Sequence, residues 1–194
     1  MTVHIDALAA EFVTLDAVLT SEGITSRVDA LILAWVKMEK QLRKLFCFLV
    51  YQHPTFGDNN IDQVIKVIAE NKNLYYHSFI KCIDNLGPLC VRDVVGPEYD
   101  RYLNEIKRIH EHRNKLLHGQ ITGKGLTRRQ LEKDISLLRQ WISLLAASGQ
   151  RAFGYDGVGR NTFRKAKAML PAPNRQYPFS TVQEFRQWLS KAAK

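Results

Sequence analysis

Apolar residues recur at helical spacing through most of the first 150 positions. Side chains three and four residues apart share one face of a helix, and such stripes predict helices that bury one face. The stripes occupy residues 4–20 (Ile5, Leu8, Phe12, Leu15, Leu19) and residues 27–52 (Leu31, Trp35, Met38, Leu42, Leu45, Leu49). Both stripes are typical of core-forming helices.

Further helices are marked by their capping residues. Asn60-Ile-Asp-Gln63 precedes an apolar run, another helix is predicted over 74–86 before Gly87-Pro88, and Thr127-Arg-Arg-Gln130 precedes an apolar stripe. That stripe consists of Leu131, Ile135, Leu138, Ile142 and Leu145. No segment shows sustained period-two alternation. Residues 1–150 are therefore predicted to form an all-α, antiparallel helical bundle.

The composition changes after residue 150. Gly154, Gly157 and Gly159 predict a loop, and a short basic helix is expected over 161–170 before a proline-rich stretch. Ser180-Thr-Val-Gln183 is expected to cap a last helix. Residues 151–194 are thus predicted to be a basic, loop-rich C-terminal extension with one or two short helices.

One predicted helix carries polar residues on its apolar face. It begins near Gly96-Pro97-Glu98 and is expected to end at Gly119. On a helical projection, Arg113 falls near the middle of the apolar arc, His110 and Asn114 lie within the arc, and His118 lies at its edge. A buried guanidinium must be paired or must bind an anion, because it cannot lose its proton.

The segment Arg113-Asn-Lys-Leu-Leu-His118 resembles the motif of the HEPN superfamily, in which an arginine precedes a histidine by about five positions on a bundle helix. The resemblance covers roughly residues 4–148. It implies a helical bundle and a metal-independent endoribonuclease without a cofactor, often a toxin or defence effector. Arg113 and His118 would be the catalytic pair, and Asn114 the polar residue that follows the arginine.

The reaction implied by this resemblance is attack of a ribose 2′-hydroxyl on the adjacent phosphodiester. His118 would act as general acid and base, because an imidazole titrates near neutrality. Arg113 would bind the phosphate through two parallel hydrogen bonds and stabilise the transition state. Asn114 lies on the same helical face as His118 and would orient the imidazole or the phosphate.

A homodimer is expected as the active unit. Positions five apart on a helix point about 140° apart, so one helix does not bring Arg113 and His118 together over one phosphate. A two-fold interface could bring two such helix ends together, and HEPN ribonucleases commonly form composite sites in dimers. RNA and a second copy are the expected partners, and an antitoxin or regulatory protein is a further one.

Three alternatives stay open. In a purely structural role, Arg113 would pair with a buried carboxylate and His118 would interact with the helix C-terminus. In a different functional class, the domain would be a catalytically silent module that binds a nucleotide, RNA or a protein. In a third, the basic tail would be a DNA-binding arm, although no clear helix-turn-helix is visible.

The net charge of +9 suggests an anionic partner, and most of it lies in the tail. Residues 151–194 carry nine Lys and Arg against Asp156 and Glu184. Aromatic side chains interleave with Arg160, Arg164, Lys165 and Lys167, which are the candidate RNA-binding residues. The alternative is a basic loop whose aromatic side chains dock on the bundle.

Composition and residue spacing argue against a metal site, a disulfide framework and a membrane span. The three cysteines, Cys47, Cys82 and Cys90, lack C-x-x-C spacing, so neither a zinc site nor a disulfide framework is expected. His110 and His112 lie about 200° apart on a helix and are poorly placed to chelate a metal. With no signal pattern and no long apolar segment, the expectation is a cytoplasmic protein without a membrane span.

Overall fold

All regular secondary structure in the described part of the chain is helical. The computed structural model describes residues 2–119, 126–159, 162–171 and 177–194, with side chains from residue 7 onward. Its α-helices are α1 (Thr2–Thr20), α2 (Ser26–Tyr51), α3 (Ile61–Glu70), α4 (Tyr76–Leu86), α5 (Val91–Val95), α6 (Tyr99–Leu117), α7 (Arg128–Phe153) and α8 (Val182–Ala192). Within these ranges there is no β-strand, and the all-α prediction is confirmed.

The helix that carries the Arg113 motif ends where the sequence predicts. The His118 N–H donates to the carbonyl of Asn114, and the Gly119 N–H donates to the carbonyl of Leu116. Gly119 has a φ of +61°, a left-handed conformation that favours glycine and is common just past a helix end. His118 is therefore the C-cap residue, directly after Leu117, the last residue of α6.

Helix α7 runs further than the sequence suggests. It continues through Gly149 to Phe153 and ends at Gly154, whose φ is +75°. A Cβ at Gly149 would lie 3.0 Å from the carbonyl oxygen of Tyr155, so this glycine permits a close approach of the following loop rather than ending the helix. The domain boundary near residue 150 remains a prediction, and the short helix α5 was not predicted.

The predicted basic helix over 161–170 is wrong, because residues 162–170 contain no helix. The polar groups of this segment are bound by other parts of the chain. The side chain of Gln52 accepts a hydrogen bond from the Ala166 N–H at 2.7 Å and donates one to the carbonyl of Arg164 at 2.9 Å. These long-range bonds replace the i→i−4 bonds that a helix would need.

The cap of α8 lies one residue later than predicted. Thr181 is the N-cap residue and accepts a hydrogen bond from the Glu184 N–H at 3.2 Å. The Glu184 carboxylate in turn accepts from the Ser180 N–H at 2.7 Å. At α7, Thr127 caps as expected, since its hydroxyl oxygen accepts from the Gln130 N–H at 3.2 Å.

The chain forms two compact units, and each is built from separated segments. The first comprises Met1–Met38 and Val95–Leu145. Its buried core includes Leu31, Trp35, Ile106, Ile109, Leu138 and Trp141. The indole of Trp141 packs against the rings of Tyr99 and Tyr102 at centroid distances of 6.2 and 5.8 Å. This unit contains the Arg113 motif.

The second unit comprises Glu39–Val94 and Ala146–Lys194. Its core is rich in aromatic side chains, including Phe46, Phe48, Phe153, Tyr155, Phe179 and Phe185. Residues 151–194 therefore contribute core side chains as well as surface charge. None of the helices in the described ranges is both long enough and apolar enough to span a bilayer.

Candidate functional site

A chain of polar contacts connects Arg113 to the core of the first unit. Nη1 of Arg113 donates to Oδ1 of Asn114 at 2.8 Å, and Nδ2 of the same amide lies 3.2 Å from Nε2 of His110. An amide nitrogen can only donate, so Nε2 of His110 accepts in this contact. The His110 ring stacks on Trp35 at a centroid distance of 5.2 Å. Asn114 thus links the guanidinium to an imidazole one turn earlier on α6.

The guanidinium of Arg113 is half-buried and lacks an anionic partner among the described residues. Its carbon lies 6.0 Å from the centroid of the buried Trp35 ring, which is the outer range of a cation–π contact. Its Nε is buried and has no hydrogen-bond acceptor in that part of the chain. A buried N–H without an acceptor costs free energy, and this guanidinium therefore retains hydrogen-bonding capacity that the described residues do not use.

His118 lies at the C-terminal end of the same helix, and its side chain is exposed. In the described ranges, neither Arg113 nor any other residue forms a hydrogen bond with its ring. The structure places both predicted catalytic residues at one helix end but does not bring their side chains into contact. Asn114 contacts Arg113 and His110 rather than the imidazole of His118.

The buried carboxylate of this unit belongs to Asp134, and it binds Arg108 rather than Arg113. Asp134 is fully buried on α7, and its oxygens accept hydrogen bonds from both Nη atoms of Arg108, at 2.7 and 3.3 Å. Gln130 also donates to it at 2.7 Å, and Nδ1 of His112 lies 3.1 Å away. Among the described residues, Arg113 does not pair with a buried carboxylate, as its purely structural role would require.

The Asp134 cluster fixes α6 to α7 within the first unit. Glu105 adds a second carboxylate, 2.6 Å from Nη2 of Arg108. Hydrogen bonds to Arg108 raise its pKa further, although its partial burial acts in the opposite direction. Because the cluster satisfies every oxygen of a buried charge, it holds the helix on which Arg113 lies in one position.

The candidate RNA-binding residues of the tail differ in their surroundings. Nζ of Lys165 donates to the carbonyls of Tyr51 and His53, at 2.6 and 2.8 Å, and lies 4.8 Å from the centre of the Tyr51 ring. Burial lowers the pKa of this amine. Lys165 therefore binds the carbonyl of the last residue of α2 and one in the turn that follows, and much of its hydrogen-bonding capacity is used within the protein.

The other described candidate cations of the tail are more available to a ligand than Lys165. Arg164 is exposed, with its guanidinium carbon 5.8 Å from the Tyr155 ring, and Lys167 is exposed without a hydrogen bond or ion pair to any described residue. Arg160 lies outside the described residues. Phe153 and Tyr155 are buried within the second unit, to which the tail itself belongs, and the Tyr155 ring lies 4.9 Å from that of Phe48.

Substituting Lys165 with methionine will destabilise the protein by about 1–2 kcal/mol, because the carbonyls of Tyr51 and His53 lose a charged donor. Lys167→Met is the matched control and should leave the thermal midpoint unchanged. Thermal unfolding followed by circular dichroism measures both variants. Equal midpoints for the two variants would contradict a structural role for Lys165.

Two residues of this region were not identified from the sequence. Trp35 was assigned to the core stripe of α2, and only the structure shows it against His110 and Arg113. Asp134 falls between Leu131 and Ile135 in the apolar stripe of α7, and an acidic residue at such a position could have signalled a buried ion pair.

Among the described residues, no group of three or more His, Cys, Asp and Glu side chains is arranged to hold a metal ion. No family model matches the sequence, and neither the curated proteins nor the solved structures include a significant match.

Proposed function

We propose that this protein is a metal-independent endoribonuclease of the HEPN type. The observation that supports the proposal most strongly is the environment of Arg113, a half-buried guanidinium without a carboxylate partner in the described chain. Asn114 binds this guanidinium and lies four residues before the exposed His118. A phosphate would supply the missing acceptors. The helical core would then be an antiparallel bundle of the HEPN type.

In this mechanism the ribose 2′-hydroxyl attacks the adjacent phosphorus and the 5′-oxygen leaves. His118, whose ring is exposed, removes the hydroxyl proton as general base and returns it to the leaving 5′-oxygen as general acid. Arg113 binds the phosphate and stabilises the charge that develops on its oxygens. Asn114 orients the guanidinium through the bond at 2.8 Å, and His110 supports the amide from the other side.

The partners follow from the reaction. RNA is the substrate, and a toxin or defence effector of this kind would be controlled by an antitoxin or regulatory protein. Incubating the purified protein with total RNA, with and without EDTA, tests the activity. We expect RNA to be cut equally well in both samples. Intact RNA, or cleavage that stops when the chelator is added, would contradict the proposal.

The active unit is proposed to be a homodimer that combines the two α6 ends. Separately inactive Arg113→Ala and His118→Ala proteins should regain activity when mixed, because a heterodimer has one site with an intact arginine and an intact histidine. With random exchange, about half of the dimers are heterodimers with one complete site each, so recovery should approach about a quarter of the native rate.

Sedimentation across the micromolar range measures the dimer directly, and the specific activity should fall on dilution through the dissociation range. A fully active monomer, or mixed variants that stay inactive, would contradict a shared site.

A second candidate is a catalytically silent module that binds RNA or a nucleotide at Arg113. The exposed His118 ring favours it, because no described residue orients this imidazole. A protein that binds RNA, with loss of binding in Arg113→Ala, but leaves the RNA intact would favour this candidate over the nuclease.

A further inference from the structure

A cleft of about 520 Å³ lies within the second unit, away from the residues of the Arg113 motif in sequence. It is lined by residues of α2, α3, α4 and the segment at 162–163. Its volume lies in the range of clefts that bind small molecules, roughly 300–1,000 Å³. Nothing in the proposed nuclease mechanism uses this cleft.

One wall of the cleft is basic. Lys40, Arg43 and Lys44 lie at i, i+3 and i+4 on α2 and line it together, against the single carboxylate of Glu39. Lys44 donates to the carbonyls of Val158 and Gly159 at 2.7 and 3.1 Å. Arg43 is exposed and forms no ion pair or hydrogen bond with any residue in the described ranges. Its guanidinium is therefore available for a phosphate.

The rest of the lining is mostly apolar and partly aromatic. Phe163 is half-buried, with its ring 5.7 Å from that of Tyr51, and Ile65 is 45% exposed although it is a large aliphatic residue. Phe79 and Cys47 form part of the buried floor. Burial raises the pKa of the Cys47 thiol to about 12, so the floor carries no charge near neutral pH. This lining suits a flat, uncharged ring system.

We propose that this cleft binds one nucleotide of a single-stranded RNA, with the base against Phe163 and Ile65 and the phosphate on Arg43. A cation beside an aromatic side chain is the combination that binds single-stranded nucleic acid, because bases stack while phosphates pair. A peptide anion would not need the apolar wall, and a simple phosphate would not occupy the volume. The choice of RNA as the ligand rests on the proposed function.

Binding of a fluorescein-labelled 2′-O-methyl RNA hexamer to the full-length protein tests this site without cleavage. Arg43→Ala should weaken binding about tenfold and lower the slope of log affinity against log salt by about 0.7, because one phosphate contact is lost. Phe163→Leu should weaken binding by about the same factor without changing the slope, because it removes stacking and no charge. Arg129→Ala, an exposed helical arginine outside the cleft, is the matched control.

Affinities of both cleft variants that match the Arg129→Ala control would overturn the proposal, provided circular dichroism shows that all three are folded. Displacement of the hexamer by micromolar AMP would assign the site to a free nucleotide and would also overturn it. Weak displacement by AMP, adenosine and inorganic phosphate alike supports a subsite for an RNA strand.

The cleft proposal and the nuclease proposal can fail independently of each other. If total RNA stays intact but Arg43→Ala loses hexamer binding, the nuclease proposal fails and the cleft assignment stands. If RNA is cut in a His118-dependent manner but the cleft variants bind normally, only the cleft assignment fails.

Discussion

Replacing His118 with alanine will reduce RNA cleavage by about 10²- to 10⁴-fold, which is the usual contribution of a general acid or base. The side chain is exposed and has no hydrogen bond to a described residue, so its removal should leave the fold and its stability unchanged. Initial rates on a fluorogenic RNA oligonucleotide, with far-ultraviolet circular dichroism on the same samples, measure both quantities.

His77→Ala provides the matched control, because His77 is another exposed histidine, on α4 of the second unit. It should retain the native rate. Arg113→Lys separates charge from geometry at the proposed phosphate site, since lysine keeps the charge but lacks the planar fork of donors. A His118→Ala protein that cleaves RNA at the rate of the His77→Ala control would rule out the role given to His118.

Replacing Asp134 with alanine will lower the free energy of unfolding by about 1–3 kcal/mol, because Gln130 loses its buried acceptor and Arg108 keeps only Glu105 as a charged partner. Asp134 is fully buried and binds Arg108 and Gln130 at 2.7 Å each. Denaturant titration followed by tryptophan fluorescence measures the loss. The variant should also lose RNA cleavage in proportion to the fraction of protein that is unfolded.

The exposed pair between Arg139 and Asp16 supplies the control for Asp134. Asp16→Ala should have little effect, since solvent-exposed ion pairs contribute little to stability. The double variant Arg108→Met with Asp134→Leu should recover most of the lost stability, because neither charge is then buried alone. An Asp134→Ala protein as stable as Asp16→Ala would contradict the structural role of the cluster.

The helices were predictable where apolar periodicity and caps agreed. The expected helices over 4–20, 27–52 and 74–86 correspond to α1, α2 and α4, and Gly119 ends α6 as predicted. The errors occur where tertiary contacts override local signals. The helical part was expected to end near residue 150, but Gly149 allows close packing and α7 continues to Phe153. Residues 162–170 are held by Gln52 and by the bond from the Leu170 N–H to the carbonyl of Ala152.

The candidate site was predictable only as a set of residue types on one helix. The projection of α6 placed Arg113 on an inward face, and the structure finds it half-buried next to Trp35. The projection could not show that the buried carboxylate of Asp134 binds Arg108 rather than Arg113, because a projection of one helix contains no information about the side chains of α7. Nor could charge alone show that Lys165 binds backbone carbonyls while Lys167 stays free of them.

The chemistry of the product ends tests the proposed function most directly. A synthetic RNA oligonucleotide should be incubated with the native protein in EDTA and its fragments identified by mass spectrometry. Attack by the 2′-hydroxyl predicts a 2′,3′-cyclic phosphate on one fragment and a 5′-hydroxyl on the next. Fragments with a 3′-hydroxyl and a 5′-phosphate, or an oligonucleotide that remains intact, would contradict the account.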